Sequence, residues 1–556
     1  MRTRAYGIPL LFKLHIHRLT LYLVTLVVVV CVLLKGYHLQ RGSGATVKVH
    51  DRLPAQLVIP AEQQSIPELL RITSQTRGFY ARDFPLYIGW NNIKYIIESA
   101  ILQAELLNRT AVLPSFVYAR GCVLTIAACA AFLPMVNRND AFRMDRWRHL
   151  PKDLQMAWKV PLEVMINLSK LRNRHRIILV SEYLRLQGLS PSLETTNGHW
   201  DTLAYHNTSQ PPSLYILSGP EHDIGGRIVV DKYPETGRPA KPRTPIFREL
   251  ENFAHKLEDQ ALNWAQVGQV LGRDKSRRQL ERELLENDWV PTYTFHSPAE
   301  SEMFKAPIFP IMQAVSRIRV RGWREFYGRV TDDVFLMTGE VHLRRKPGGM
   351  RFLRKSDRDD FARIVLHDMV YNDEIHELAD ILERRMRDRV EGRHFLAAHI
   401  RRDDFLRISW SPKVFKDHWE RVDVELKKAR QILRDIRHQN LTTYDVPDVE
   451  KPDAGILSRE PPLDNDPCLI MTDERSSEDL DYLRAHGAIF VKDLLLPEER
   501  HVVGWPMLLA DVFALVEQSL VARSDYFVGQ KISSLAAGVV AMRAARGLDP
   551  QTAVLF

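Results

Sequence analysis

The residues best suited to chemistry lie in His399–Asp404, which has the sequence HIRRDD and completes the apolar run HFLAAHI. That run predicts a buried strand, and ligands of open α/β sheets bind at the carboxyl ends of strands. Side chains alternate along a strand, so His399 and Arg401 share one face and Arg402 faces the other way. A guanidinium is planar and permanently charged, which suits it to a diphosphate. The alternative is a surface cluster of arginines and aspartates that pair with one another.

Two further clusters follow predicted strands later in the chain. Asp473, after the strand CLIM, could accept hydrogen bonds from a guanine base or a ribose hydroxyl. Ser533 and Ser534 open a predicted helix after the strand DYFVG, and free N–H groups at a helix N-terminus attract anions. Both clusters have an ordinary alternative, because aspartate is common in turns and serine is a common helix N-cap.

A fourth cluster, Gly89-Trp90-Asn91-Asn92, lies between a strand predicted at FPLYI (residues 84–88) and a predicted helix. Glycine lets a ligand approach the backbone, and asparagine offers a donor and an acceptor. The D-x-D spacing at Asp479 and Asp481 would suit a metal, but it falls inside a predicted helix. The histidines lack zinc spacing, and the chain has no P-loop and no G-x-G-x-x-G. We therefore predict no metal site and no cofactor.

The elements that must position these clusters form two alternating series. A strand, a helix over residues 93–107 and a second strand near Ala111–Leu113 make a βαβ unit. The later series consists of predicted helices at 375–386, 418–437, 478–486, 507–522 and 533–545, alternating with strands at 394–400, 468–471, 488–491 and 525–529. Two such series predict two Rossmann-like α/β domains, at 77–370 and 371–556. The Pro/Gly-rich stretch 190–250 predicts long loops.

An apolar run at Leu19–Leu34 carries no charge, proline or glycine. It would span about 24 Å as a helix, which is short for a bilayer core of about 30 Å but suits a thin early-secretory membrane. More positive charge precedes the run than follows it, so we expect a cytosolic tail (1–18), an anchor (19–35) and a luminal stem (36–76). The alternatives are a cleaved signal peptide, for which GSGA is a poor cleavage site, and a buried core helix.

The composition argues against two classes of protein, nucleic-acid-binding proteins and disulfide scaffolds. A formal charge of +8 spread over 556 residues does not indicate nucleic-acid binding. Four cysteines are too few for a disulfide scaffold. We expect Cys122 and Cys129 to form a local disulfide and Cys468 to be buried. Four sequons agree with a luminal body, and they are predicted glycosylation sites: Asn108, Asn167, Asn207 and Asn440.

In their order along the chain, these motifs resemble those of GDP-fucose-dependent O-fucosyltransferases, a family that includes protein O-fucosyltransferases and α1,6-fucosyltransferases. The HIRRDD segment matches the family's H-x-R-R-x-D motif, and Leu106–Pro114 is similar to its LLNRT…P stretch. Asn92 falls on the Asn of the family's G-x-F-G-N-Q loop, Trp90 on its Phe, and Ile93 replaces its Gln. The Thr-Asp at 472–473 and the Ser-Ser pair follow in the same order.

The resemblance implies two Rossmann-like domains facing a cleft (GT-B type), an inverting and metal-independent reaction, and a donor held by the C-terminal domain. It implies that Arg401 contacts the β-phosphate and that Asn92 lies near the reacting centre. His399 and Asp404 would shape the donor pocket, and Asp473 would recognise the base. The implied substrate-binding residues are His399, Arg402, Asp404, Asp473, Ser533, Ser534, Gly89, Trp90 and Asn91.

Two positions depart from the family pattern. The loop before the first helix lacks the family's arginine, and Leu535 follows the serines where an aromatic residue is usual. No general base can be assigned either, because asparagine cannot deprotonate a hydroxyl.

We therefore expect a single-pass type II enzyme of the Golgi or endoplasmic reticulum membrane, with a luminal catalytic domain. It would transfer fucose from GDP-fucose to a hydroxyl on a protein or oligosaccharide acceptor, and the loops at 190–250 would choose the acceptor. The alternatives are a transferase of another nucleotide sugar and a non-catalytic luminal membrane glycoprotein that binds glycan or GDP.

Overall fold

The computed structural model describes residues 64–207, 209–218, 228–229, 244–257, 261–293, 295, 313–339 and 351–556. The predicted anchor and most of the predicted stem lie outside these ranges. Within them, no helix has both the length and the apolar character that a membrane span requires.

A five-stranded parallel sheet occupies the N-terminal half. Its strands are β1 (Phe79–Arg82), β2 (Thr110–Leu113), β3 (Ile177–Leu179), β4 (Leu214–Ser218) and β5 (Val334–Thr338). They lie in the order β3-β2-β1-β5-β4, and every pairing is parallel. The strand order reverses between β1 and β5, so the crevice at their carboxyl ends is where a ligand of this sheet would bind.

The first strand lies earlier in the chain than the sequence predicted. Residues 84–88 (FPLYI) form no strand, whereas Phe79–Arg82 pairs with β2 and β5. Pro85 has no N–H to give to a neighbouring strand, which explains the difference. The predicted stem is also too long, since Ile66–Thr73 forms a helix whose residues Leu69 and Ile72 pack against the sheet.

The helix predicted after the first strand is confirmed as α1 (Trp90–Leu106), which begins three residues earlier than expected. Its apolar residues recur every three to four positions and pack against the N-terminal sheet. Polar residues on its other sides are buried as well, including Glu98 and Ser99. This helix is therefore covered on several sides, because the C-terminal half also packs against it.

A second five-stranded parallel sheet forms the C-terminal half. Its strands are β6 (Leu396–Ile400), β7 (Cys468–Thr472), β8 (Ala488–Ile489), β9 (Tyr526–Gly529) and β10 (Ala553–Leu555). The order is β8-β7-β6-β9-β10, with a reversal between β6 and β9. Four of these strands agree with the sequence prediction, and β10 is an additional one. The chain is thus an α/β protein with two parallel sheets.

Helices cover both faces of the second sheet. The main ones are α2 (Asp373–Arg389), α3 (Phe415–Asp435), α4 (Ala510–Val521) and α5 (Ser534–Ala545). One face of β6 packs under α3, while the other belongs to a large core that continues into the N-terminal sheet. Because of this shared core, the described residues form one compact unit, and the boundary at 370/371 stays a prediction.

Smaller elements complete the fold. Three antiparallel strands (Phe116–Ala119, Met135–Asn137 and Met156–Pro161) form a sheet beside β2. A second small sheet joins Leu262–Asn263, Trp289–Thr292 and Gln313–Ser316, and a third pairs Ile228–Val229 with Arg321–Gly322. The remaining helices are Ile126–Ala130, Arg138–Phe142, Leu162–Met165, Leu168–Arg174, Val180–Leu186, Pro245–Ala254, Trp264–Leu271, Arg277–Glu286, Trp323–Tyr327, Lys355–Arg363, Asp403–Arg407, Ser477–Ala485, Val491–Leu494 and the π-helix Ile364–Asp368.

A disulfide joins Cys122 and Cys129, the pair expected from the sequence, and Cys468 is free and buried. The loop that the disulfide closes belongs to the N-terminal half but is bonded to the C-terminal half. Val123 N–H donates to the Leu508 carbonyl at 2.8 Å. The loop therefore connects the two halves at the edge of the shared core, in which Cys129 itself is buried.

Candidate active site

The carboxyl ends of β6 and β9 meet where the strand order of the second sheet reverses. Arg401 follows β6, and its N–H donates to Oε1 of Gln530, which follows β9, at 3.0 Å. Gln530 Nε2 donates to Ser411 Oγ at 2.7 Å, and that hydroxyl donates to the Arg401 carbonyl at 2.8 Å. The buried amide of Gln530 therefore fixes the backbone of Arg401, a role that no sequence pattern indicated.

The Arg401 side chain lies between two of the predicted site residues. Its Nε and Nη2 contact Asp404 Oδ1 at 3.0 and 2.8 Å, and its Nη1 lies 2.7 Å from Asp473 Oδ2. Burial raises the pKa of the Asp473 carboxyl, and the positive charge of Arg401 opposes that rise. The side chain stays 25% exposed, so the guanidinium is held in place and still open to a ligand.

Arg402 is buried, and its hydrogen bonds go to the protein. Its N–H donates to Asp473 Oδ1 at 2.7 Å and its Nε to Glu474 Oε2 at 3.1 Å. Its two Nη groups donate to the carbonyls of Pro412 and Lys413. The sequence assigned Arg402 to substrate binding, but the geometry favours a positioning role, because this side chain joins the ends of two strands to the following loop.

His399 lies on the same face of β6 as Arg401 but is almost completely buried. Burial lowers the pKa of this imidazole to about 3, and the nearby charge of Arg401 adds to the effect. The ring is therefore neutral at physiological pH. Among the described residues, its Nδ1 has no hydrogen-bond partner. His399 can shape the floor of the site but cannot supply a positive charge to it.

The two serines stand at the start of α5. Ser533 is the N-cap, and its Oγ accepts a hydrogen bond from Ala536 N–H at 3.4 Å. Ile532 just before it has φ of +69°, a conformation that is costly for a β-branched residue and is found mainly at functional turns. The cap takes up the Ala536 N–H, whereas the N–H groups of Ser534 and Leu535 have no partners within the helix and are available to an anion.

Gly89-Trp90-Asn91-Asn92 is the start of a helix and not the predicted loop. Gly89 is the N-cap of α1, and the other three residues form its first turn. Trp90 is buried in the core, which argues against the predicted contact with substrate. The buried Oδ1 of Asn92 lacks a partner among the described residues, so Asn92 keeps an acceptor for a ligand.

A single buried glutamine connects the starts of α1 and α5. Gln518 on α4 donates from Nε2 to the Leu535 carbonyl at 2.8 Å and to Asn91 Oδ1 at 3.2 Å. Its Oε1 accepts a hydrogen bond from the Tyr371 hydroxyl at 2.5 Å. Tyr95 on α1 also donates to the Ser534 carbonyl, at 2.7 Å. The N-termini of α1 and α5 therefore lie next to each other.

Arg120, which the sequence did not single out, lies over the start of α1. Its Nη2 is 3.1 Å from the position that a Cβ of residue 89 would occupy. Its backbone N–H donates to Asp511 Oδ2 at 2.7 Å, and its Nε lies 3.7 Å from Asp511 Oδ1. Arg138 is close by, and its pKa is lowered to about 10, first by burial and then by the charge of Arg120.

The absence of a metal and the use of the sequons both stay predictions. Across the described ranges, no group of three or more His, Cys, Asp or Glu side chains is arranged to hold a metal. The D-x-D pair lies within the helix Ser477–Ala485, as predicted. The sequon residues Asn108 and Asn440 are exposed, Asn167 caps the helix Leu168–Arg174, and Asn207 precedes a residue outside the described ranges. Glycosylation itself stays a prediction.

Comparisons with known proteins give a family match. Solved structures with a similar chain include POFUT1 in complex with GDP-fucose (12% identity, TM-score 0.32) and POFUT1 in complex with GDP (13% identity, TM-score 0.32). Each alignment covers 86% of this chain and 98% of the other. A comparison with curated proteins gives no match. The sequence pattern described as "GDP-fucose protein O-fucosyltransferase" matches residues 142–546. This chain therefore belongs to the GDP-fucose protein O-fucosyltransferase family and is a GDP-fucose-dependent fucosyltransferase.

Proposed function

We propose that this enzyme is an inverting, metal-independent transferase of the GT-B type, which moves fucose from GDP-fucose to a hydroxyl of a protein or glycan. The observation that carries the proposal is the position of Arg401. Its guanidinium lies at the switch point of the C-terminal sheet and is held by Asp404 and Asp473. A ligand diphosphate at this point would meet Arg401 and the N-terminus of α5 together.

In the proposed reaction, the bond between fucose C1 and the β-phosphate oxygen breaks, and its electron pair leaves with GDP. The acceptor hydroxyl forms the new C1–O bond on the opposite face of the sugar, and its proton is released to solvent. Negative charge therefore accumulates on the diphosphate in the transition state. A fixed guanidinium and a helix N-terminus stabilise that charge, as a metal ion does in other transferases.

The carboxylates next to Arg401 orient its side chain. Asp404 and Asp473 fix the direction of its guanidinium and balance its charge. Asp473 also accepts the Arg402 N–H, so both of its oxygens face arginines. This arrangement supports an orienting role for Asp473 and departs from the base recognition that the family resemblance implied.

We further propose that the body of the enzyme faces the lumen of the Golgi or endoplasmic reticulum and is anchored by Leu19–Leu34. The Cys122–Cys129 disulfide supports an oxidising compartment. Acceptor choice is assigned to the Pro/Gly-rich segment 190–250, since recognition segments often extend from a rigid sheet. Strand β4 (Leu214–Ser218) and the start of the helix Pro245–Ala254 fall within this segment, so the prediction of loops applies only to the residues around them. Protease protection of the full chain in sealed vesicles tests the orientation, and complete digestion of residues 36–556 from the cytosolic side would refute it.

The test of the reaction compares the full-length wild type with Arg401→Ala in hydrolysis of GDP-fucose. We expect a loss of about 3 kcal/mol of transition-state stabilisation, or about 100-fold in rate, as for removal of one oxyanion-type donor. Arg407→Ala is the matched control, because Arg407 is half exposed and makes only a long ion pair with Asp403. Equal rates for wild type and Arg401→Ala would refute the assigned role. Thermal stabilisation by UDP but not by GDP would refute the donor.

A further inference from the structure

A distant arginine, Arg120, fills the space that a side chain at position 89 would occupy. Gly89 has φ of −70° and ψ of 152°, a conformation open to any residue, so its backbone does not require glycine. What occupies the space beside it is the guanidinium of Arg120, with Nη2 at 3.1 Å and Cζ at 3.7 Å from the position of a Cβ. The chain therefore places at the start of α1 a guanidinium that comes from the end of another strand.

Short contacts connect the position of that guanidinium with the surroundings of Arg401. The Gln518 amide joins Asn91 in the first turn of α1 to Leu535 in the first turn of α5. The start of α5 is in turn three residues from Gln530, which fixes the backbone of Arg401. Arg138 is close to both Arg120 and Asp403, since the charges of both act on it. These links bring the N-termini of α1 and α5 and the end of β6 together.

Arg120 is also only weakly paired. Among the described residues, its guanidinium has a single ion pair, the 3.7 Å contact of its Nε with Asp511. The side chain is 33% exposed, and the pKa of the neighbouring Arg138 is lowered in part by the charge of Arg120. Around Arg138, the arginines Arg120 and Arg146 and the carboxylates of Asp511 and Asp403 act together. Three guanidiniums and two carboxylates leave a net positive charge that a bound anion would balance.

We propose that Arg120 contacts the diphosphate of the donor from the N-terminal half of the enzyme, opposite Arg401. This inference rests on the proposed function, because the anion is the leaving group of that reaction. With Arg401 on one side and Arg120 on the other, the charge that builds up on the departing GDP is shared by two guanidiniums. The proposal also gives a reason for the glycine at position 89, since a side chain there would displace the Arg120 guanidinium.

The decisive variants are Arg120→Ala and the double variant Arg120→Ala/Gly89→Arg. The first removes the guanidinium but keeps the backbone N–H that donates to Asp511, so the contact between the halves is retained. The second supplies a guanidinium from position 89, into space that the alanine has vacated. Arg148→Ala is the control, since Arg148 is exposed and pairs only with exposed Asp145.

We expect Arg120→Ala to lower kcat for fucose transfer and for GDP-fucose hydrolysis by about 10-fold to 100-fold, a range below that of a full oxyanion donor. The double variant should recover at least a third of the lost rate, and Arg148→Ala should match the wild type. Binding of GDP by calorimetry is the second readout, and Arg120→Ala should weaken it by about 10-fold, as expected for one charge-assisted contact.

The outcomes separate this inference from the proposed function. If the wild type transfers fucose and Arg120→Ala matches it in rate and in GDP affinity, the role of Arg120 is refuted and the proposed function stands. A rate loss in Arg120→Ala that Gly89→Arg does not reduce would also refute it, since the guanidinium itself would then not be the cause. A wild type that neither binds GDP nor hydrolyses GDP-fucose would overturn both.

Discussion

Replacement of Gln518 by methionine should destabilise the enzyme, although the two side chains have similar size. Gln518 is completely buried on α4 and makes three hydrogen bonds. Methionine keeps the volume but removes the amide. It therefore leaves the buried hydroxyl of Tyr371 without its acceptor. The Leu535 carbonyl keeps its hydrogen bond within α5, and Asn91 can turn toward water.

The expected loss follows from the Tyr371 hydroxyl. A buried polar group that loses its partner costs about 1–3 kcal/mol, so the free energy of unfolding should fall by about 2 kcal/mol. Urea denaturation of the full chain, followed by tryptophan fluorescence, measures this change as a lower midpoint with an unchanged slope. Gln431→Met is the matched control, because Gln431 is exposed and bonds only Asp435 on its own helix. Its change should stay below about 0.5 kcal/mol.

Two results would contradict this reasoning. A Gln518→Met enzyme within about 1 kcal/mol of the wild type would show that the Tyr371 hydroxyl finds another partner. An equal loss in Gln431→Met would show that the substitution acts through helix stability and not through the connection between α1 and α5. If the reasoning holds, Gln518→Met should also weaken GDP binding, since the amide positions the first turn of α5.

Two further predictions concern stability. Burial alone would lower the pKa of His175, but hydrogen bonds to Asp368 and Glu105 raise it from 6.5 to about 9, so the protonated ring contributes stability that is complete below pH 6.5 and is lost as the pH rises through about 9. The free energy of unfolding should fall by up to about 3 kcal/mol over that pH range. An equal fall with pH in the His175→Gln variant would count against this prediction. Gly392→Ala should cost about 1 kcal/mol for its positive φ, whereas Gly198→Ala, whose Cβ would lie 2.1 Å from a backbone carbonyl oxygen, should cost more than about 3 kcal/mol. Equal urea midpoints for the two alanine variants would disprove the clash.

The C-terminal half was predictable because its signals are local. Short apolar runs bounded by charged and turn residues marked β6, β7 and β9, and helical periodicity marked α2 to α5. The position of Arg401 followed directly, since a residue after a buried strand must lie at the sheet edge. The disulfide was predictable for the same reason, because its two cysteines are close in the sequence.

Features that depend on distant contacts were not predictable. FPLYI has the composition of a strand, but pairing with β5 selected the preceding residues. Nothing in the sequence around Arg402 shows that it is enclosed by a loop ten residues later. Arg120 follows the strand Phe116–Ala119 and meets Gly89 across 31 residues of sequence, so no local pattern encodes that contact.

The position of Arg120 has a consequence for sequence variation among relatives of this chain. Two guanidiniums cannot share the space beside residue 89. An enzyme with none there would lose the positive charge that we assign to the start of α1. Arginine at one of these positions should therefore exclude arginine at the other, and lineages should exchange one arrangement for the other through paired substitutions. In this chain, the glycine at 89 leaves room for a guanidinium that comes from the end of a different strand.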